Sequence, residues 1–304
     1  MSVQAAPGRA SSTGRMSGAQ VRRRIAVLDP ERDADEIARL SLVTLHGHDA
    51  FVYLLFTVAF MKQVAVPTMA RILHRRGTGD ILRHTAKRND DTIVFFGHLL
   101  DHGPTSPVGS AWIERMNAIH AHFPLRNIDS LYTLSTLALD PHDLTAPFGV
   151  QLFSDAEREA QFRFWRGVAV GQRIADLPAD RHELARWAEV YEQAEYAPSA
   201  EGREITAALI AAFGERHLPP PLRRLTPQVI AAVSPERLRR VHDLPEPNAA
   251  VRAAVASTLR AYAATVDVRR VAVDRSFVTS FGDARYGPRG PEEVGYQRGR
   301  RSVG

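Results

Sequence analysis

Residues 87–92 read Lys-Arg-Asn-Asp-Asp-Thr, and residues 115–123 read Arg-Met-Asn-Ala-Ile-His-Ala-His-Phe. The spacing of polar and apolar residues predicts a helix over each stretch. Around His120 the apolar residues recur at three- and four-residue intervals, as on one helical face. These residues are Trp112, Ile113, Met116, Ile119 and Phe123. An imidazole inside such a face needs a partner, because burial removes its hydration.

Arg88 and Thr92 are one helical turn apart, and Phe95 and Phe96 continue the same side. A guanidinium and a hydroxyl next to two phenylalanines indicate a polar spot at the bottom of an apolar pocket. Each feature alone is commonplace. A lone histidine on an apolar face is more often a hydrogen-bonded core residue than a ligand, and an arginine here is more often an ion-pair partner of Asp91 or a nearby carboxylate.

The composition favours an all-α protein with one multi-helix domain. The 304 residues are 44% apolar, which is ample for a core, and convincing alternating strand patterns are scarce. Val268 to Phe281 is the best strand candidate. We expect a disordered tail over residues 1–24, a helical domain over 25–281 and a disordered basic tail over 282–304. Residues 50–61 are the most apolar run, but about 18 Å of helix is too short to cross a bilayer, so a buried helix is favoured.

The absence of cysteine excludes disulfides, thiolate haem ligation and iron–sulfur clusters. The chain carries a net charge of +5, almost wholly from arginine, which fits a bacterium with GC-rich DNA. The arginines are interleaved with acidic residues, as on a solvated surface, so nucleic-acid binding is not expected. No signal peptide and no transmembrane helix is evident, which predicts a cytoplasmic protein with room for peripheral membrane contact.

Other histidines compete with His120 as candidate ligands. His98 and His102 have the i, i+4 spacing that can clasp a metal, but neighbouring glycines and a proline favour solvated histidines in a loop over residues 97–109. His122 lies about 200° around the helix from His120 and is expected at the surface.

Several short motifs follow one another in a specific order. Lys87-Arg-Asn-Asp-Asp-Thr92 and the His120 segment precede Asn127-Ile-Asp-Ser-Leu-Tyr-Thr-Leu134, then Glu157-Arg-Glu-Ala160, then Phe164-Trp-Arg-Gly167. Trp187 and Tyr191-Glu192 complete the succession. Over roughly residues 40 to 215 this resembles the family of oxygenases that includes the MpaB protein of the mycophenolic-acid pathway and the rubber oxygenase (latex-clearing protein). It is most similar to the MpaB-like branch.

This resemblance implies a helical domain that encloses a b-type haem. His120 then corresponds to the proximal iron ligand, and Arg88 and Thr92 to the arginine and threonine near the haem. Rubber-cleaving members carry a lysine just before that threonine, which can occupy the distal iron position. Asp91 stands at that place here, and a carboxylate is a poor substitute for a neutral amine. Arg115 and Tyr132 are weaker candidates for contact with the cofactor.

The function expected on this basis is a haem-dependent oxygenase that uses dioxygen on a hydrophobic small molecule. Family precedent is oxidative cleavage of a carbon–carbon double bond, as in isoprenoids. Arg88 and Thr92 would act at the distal side, while the porphyrin iron performs the oxygen chemistry. A haem- or lipid-binding protein without turnover, and a helical scaffold without cofactor, remain alternatives.

Overall fold

The computed structural model describes residues 14–297, and it confirms the all-α prediction for that range. The helices are α1 (Gly18–Ile25), α2 (Ala34–Ala38), α3 (Asp49–Val64), α4 (Pro67–His74), α5 (Asp80–Arg83), α6 (Thr85–His102), α7 (Pro107–His120), α8 (Asn127–Asp143), α9 (Asp155–Gly171), α10 (Arg181–Glu195), α11 (Ala200–His217), α12 (Thr226–Val233), α13 (Glu236–His242), α14 (Ala249–Thr265) and α15 (Ala284–Tyr286). Two π-helical stretches, Arg39–Leu45 and Val278–Asp283, join them.

The N-terminal residues pair with the chain that follows α14. Strands β1 (Arg15–Ser17) and β2 (Arg270–Ala272) form a two-stranded antiparallel sheet in which Met16 lies opposite Val271. Part of the strand candidate Val268–Phe281 is therefore strand, while its last four residues belong to the π-helical stretch Val278–Asp283.

The expected N-terminal tail is shorter than predicted. Residues 14–24 contribute β1 and most of α1, whose first turn is fixed by a capping box between Ser17 and Gln20. Val21 and Ile25 are four residues apart and buried, so a narrow apolar face anchors this helix. The three arginines between them made the segment look too polar to pack on the domain. The rest of that prediction, residues 1–13, lies outside the described residues.

The expected C-terminal tail also departs from the prediction. Residues 282–297 are packed on the domain: Val294 is completely buried, and the Arg289 guanidinium lies 2.8 Å from the Asp91 carboxylate. A Gly-, Pro- and Arg-rich composition predicts no fixed structure. Here Arg289 pairs with the buried carboxylate of Asp91, 198 positions earlier in the chain, and this contact fixes the segment. Residues 298–304 of the predicted tail lie outside the described range.

Helix α3 is the central element of the core. It is apolar on most sides, as expected for a helix surrounded by protein, and it contacts α4, α8 and α11. Among residues 14–297, no single helix is long and apolar enough to cross a membrane. The two segments Ala34–Leu45 and Asp49–Val64 reach that length only together, and they are bent by 113° relative to each other.

Helices α6, α7 and α8 position the candidate site. The loop expected over residues 97–109 is wrong, because α6 continues through Gly97 to His102 and only a short turn separates it from α7. Gly97 reads as a helix breaker but serves packing: a Cβ there would lie 2.9 Å from the backbone nitrogen of Val278. Helix α8 likewise contains Pro141 and continues to Asp143, although a proline inside a helix usually ends or kinks it.

Candidate active site

A cavity of about 180 Å³ is lined mainly by residues of α3 to α8. Its walls are mainly apolar, with Phe56, Phe60, Phe95, Phe96 and Phe123 prominent. The polar lining residues are Gln63, Arg75, Asp80, Arg88, Thr92, His120, Asp129, Ser130, Thr133, Gln172 and Tyr296. An apolar cavity with a few convergent polar groups is the usual form of a small-molecule site.

His120 is the last residue of α7 and faces this cavity together with Met116, Ile119 and Phe123. The His120 side chain is exposed where it lines the cavity, and protein surrounds it elsewhere. Burial, followed by the positive charge of Arg88, lowers the pKa of His120 to about 4. No hydrogen bond or carboxylate among residues 14–297 offsets this shift in pKa. The ring is therefore neutral near pH 7, which is the form that binds a metal.

Arg88 and Thr92 lie in the same cavity wall, one turn apart on α6. The Arg88 guanidinium donates a hydrogen bond to the Thr92 hydroxyl, which in turn donates to the Arg88 carbonyl oxygen at 3.0 Å. Burial lowers the pKa of Arg88, although Asp91 and Asp80 act in the opposite direction. In the part of the chain that the structure describes, no carboxylate forms an ion pair with Arg88. Its positive charge is thus free to meet an anionic group in the cavity.

Asp91 does not line the cavity and is not the ion-pair partner of Arg88. Its carboxylate accepts hydrogen bonds from Lys87 at 2.7 Å and from Arg289 at 2.8 Å, and it is almost fully buried. Asp91 therefore faces the C-terminal part of this chain rather than the cavity.

The structure places Arg115 and Tyr132 outside the cavity wall. Arg115 donates to the backbone carbonyl oxygens of Val294 and Tyr296, at 3.4 and 2.9 Å. Tyr132 is fully buried and donates to Glu192 at 2.8 Å. Both have protein partners, so the site rests on His120, Arg88 and Thr92.

The competing histidines do not form a metal site in the described residues. His98 and His102 are helical, contrary to the expected loop, and the His98 ring stacks on Trp112 with centroids 3.9 Å apart. Burial lowers the pKa of His98 to about 4. His122 is exposed, as expected. No group of three or more His, Asp or Glu side chains within residues 14–297 is arranged to hold a metal ion.

A second, smaller cavity of about 80 Å³ adjoins the first. The two cavities share Phe56, Ala59, Phe96 and Leu137 as lining residues. The lining of the second cavity also includes the buried polar residues His46 and Asp140. The shared residues form a thin apolar partition between the two spaces.

Sequence reasoning missed several polar residues of the main cavity. Arg75, Gln63 and Tyr296 come from three separate parts of the chain, and only the packing of α3, α4 and the C-terminal residues brings them together. Gln63 alone could have been noticed in the sequence, because it is a polar residue near the end of the mainly apolar helix α3.

Comparisons with known proteins show which family the sequence matches. Residues 43–268 match the family model described as "ER-bound oxygenase mpaB/B'/Rubber oxygenase, catalytic domain". The chain is 27% identical over 162 residues to the ER-bound oxygenase mpaB of Penicillium roqueforti, covering 48% of this chain and 54% of that protein. It is 25% identical over 211 residues to the ER-bound oxygenase mpaB' of Penicillium brevicompactum, covering 62% of this chain and 49% of that protein. The chain thus spans about half the length of the curated relatives it matches.

Proposed function

The chain belongs to the ER-bound oxygenase mpaB/B'/rubber oxygenase catalytic-domain family, and on that premise we propose that it is an oxygenase with haem b bound at His120. Dioxygen and a hydrophobic small molecule are its proposed substrates. The observation that carries this proposal is the neutral His120 imidazole, which faces an apolar cavity without a protein partner in the described residues.

The donor set of the cavity fits haem b. A neutral imidazole is the usual nitrogen ligand of haem iron, and the chain has no cysteine that might take its place. The two carboxylates of haem need cationic partners, and Arg88 and Arg75 both line the cavity. Aromatic and aliphatic side chains surround the remaining space, as an apolar macrocycle requires.

Bound haem would supply the iron that binds and activates dioxygen. His120 would hold the iron from the end of α7. The Thr92 hydroxyl gives its hydrogen to the Arg88 carbonyl and accepts one from the guanidinium, so it fixes the orientation of Arg88. Arg88 then presents positive charge either to a haem carboxylate or to negative charge that develops during oxygen chemistry. The phenylalanine walls exclude water and favour an apolar substrate.

An isoprenoid-type alkene is the substrate class that the family resemblance implies, with oxidative cleavage of its double bond. The second cavity lies behind the partition that includes Phe96, so the proposal places the substrate in the main cavity. Asp91 faces away from the main cavity, so the proposal includes no distal lysine ligand of the kind found in rubber-cleaving proteins.

The test is the absorption spectrum of protein purified after expression with ample haem. We expect a Soret band and about one iron per chain, both lost in His120→Ala and both retained in His122→Ala, its exposed neighbour. Iron content that is unchanged in His120→Ala would refute the assignment of this ligand.

A second measurement separates an oxygenase from a haem carrier without turnover. Under reducing conditions, the purified protein should consume dioxygen only when an isoprenoid alkene is added. A protein with a normal Soret band that consumes no dioxygen with any such alkene would favour the carrier.

A further inference from the structure

Asp91 contacts the C-terminal segment, which we define as residues 289–296. One carboxylate oxygen accepts a hydrogen bond from the Arg289 guanidinium at 2.8 Å, and the other accepts from the Gly295 backbone nitrogen at 3.4 Å. The side chain of Asp91 is 4% exposed and that of Arg289 is 13% exposed. Asp91 therefore makes a buried, charged contact with both ends of the segment.

The C-terminal segment is part of the wall of the His120 cavity. Gly295 and Tyr296 both line the cavity, and the Tyr296 ring lies 5.3 Å from the Phe123 ring, centroid to centroid. A Cβ on Gly295 would lie 3.0 Å from Ile119 and 3.2 Å from Phe95, so the backbone approaches these two residues closely. A shift of the segment by a few ångströms would open the cavity at this side.

Besides Asp91, buried Val294 and two arginines hold the segment. Arg115 donates to the carbonyl oxygens of Val294 and Tyr296 and lies 3.6 Å from the Glu292 carboxylate. The Arg75 guanidinium lies 5.0 Å from the centre of the Tyr296 ring. Arg289 has no carboxylate partner besides Asp91 in the part of the chain described here. Loss of the Asp91 charge would leave a buried guanidinium unpaired, which is costly enough to expel it toward solvent.

We propose that Asp91 is a positioning residue that holds the C-terminal segment, through Arg289 and Gly295, as one wall of the His120 cavity. Asp91 belongs to the same helix as Arg88 and Thr92, so α6 lines the cavity with one face and fixes its wall with another. The inference rests on the proposed function only in treating the cavity as a ligand site.

Hydrogen–deuterium exchange of the full chain, without cofactor, tests the position of the wall. In Asp91→Asn we expect the amides of residues 289–297 to exchange about tenfold faster, while α3 and α11 exchange as in the unmodified protein. Arg289→Gln should give the same local change, and the double variant should exchange no faster than either single variant, because both substitutions break one interaction. Lys87→Gln is the matched control, since it removes a half-exposed partner of Asp91 on the same helix and leaves Arg289 paired.

A neutral fluorescent dye, Nile red, tests the cavity. Its dissociation should be about tenfold faster from Asp91→Asn than from Lys87→Gln. Unchanged exchange in residues 289–297 of Asp91→Asn, faster exchange over the whole chain, or additive effects in the double variant would overturn the proposal. A missing Soret band alongside the expected local exchange would count against the haem assignment and still support the wall.

Discussion

The Arg88 guanidinium donates a hydrogen bond to the Thr92 hydroxyl inside the wall of the main cavity, and it has no carboxylate partner within residues 14–297. A buried cation without an anion costs free energy of folding. The fold bears this cost at a site where an anionic ligand, such as a haem carboxylate, would offset it. This arrangement is a reason to regard Arg88 as functional rather than structural.

Replacing Arg88 with methionine should stabilise the cofactor-free protein and weaken its site. Methionine is close in length, fits the phenylalanine walls and removes the unpaired charge. We expect the free energy of unfolding to rise by about 1 kcal/mol, as at other sites where function costs stability. Haem affinity should fall at least tenfold. Urea unfolding and haem titration measure the two quantities.

Arg83→Met is the control for that experiment, because Arg83 is exposed at the end of α5. It should change neither the stability nor the haem affinity. A lower stability in Arg88→Met would mean that Arg88 is a structural residue with an anionic partner in solution.

The buried histidines should make the protein sensitive to mild acid. Burial, and then Arg158 and Arg181, lower the pKa of His142 from its usual 6.5 to about 3. The unfolded chain therefore binds a proton between pH 6.5 and 3 that the folded chain does not, so stability falls as pH falls through that window. Burial also lowers the pKa of His46 to about 3 and that of His242 to about 4.

His142→Leu should reduce this loss. Between pH 7 and pH 5, the free energy of unfolding should fall by about 2 kcal/mol less in the variant than in the unmodified protein. His122→Gln, at an exposed position, is the control. Equal losses in the unmodified protein and His142→Leu would show that His142 is already protonated or solvated at pH 5.

The Lys62 ammonium lies 2.6 Å from the Asp140 carboxylate in the core, where Lys62 is 11% and Asp140 2% exposed. Burial alone would lower the pKa of Lys62, but Asp140 and Glu192 more than reverse that effect, so Lys62 is charged. Lys62→Met should destabilise the protein by about 3–5 kcal/mol, because Asp140 is left buried and unpaired. The double variant Lys62→Met, Asp140→Leu should recover most of the lost free energy of unfolding, because no buried charge is then left unpaired. Urea unfolding measures this free energy in all three proteins. No recovery would mean that Glu192 is the more important partner.

Local sequence predicted the elements of the site better than their surroundings. The apolar spacing around His120 placed Met116, Ile119 and Phe123 on the side that lines the cavity, and the four-residue spacing placed Arg88 with Thr92. These features depend only on helical periodicity. Ser154 with Glu157 three residues later is also a purely local pattern, and the two residues form a capping box at the start of α9.

Contacts between distant residues were not readable. Arg289 lies in a Gly- and Pro-rich stretch, and only its partner Asp91 gives that stretch a fixed position. Gly97 reads as a loop residue because nothing in the sequence shows that Val278 packs against it. The sequence likewise gives no sign that Arg115 donates to the carbonyl oxygens of residues 294 and 296.

Phe96 is one of the four residues that line both cavities and lie between them. Its ring lies 5.3 Å from Trp165 and 5.9 Å from Phe56, centroid to centroid. Phe96→Ala should join the cavities at a cost of about 3 kcal/mol in stability. The enlarged space should accept longer apolar ligands. In a series of linear alkanols that displace Nile red, affinity should keep rising with chain length beyond the point at which it levels off for the unmodified protein.

Phe164→Ala is the matched control, because Phe164 is fully buried and lines neither cavity. It loses the same side chain and should be destabilised by a similar amount, about 3–5 kcal/mol. Its chain-length limit should be that of the unmodified protein, since the partition at Phe96 is intact. If Phe96→Ala has that same limit, the neighbouring Phe56 and Leu137 have closed the gap and the second cavity does not extend the ligand site.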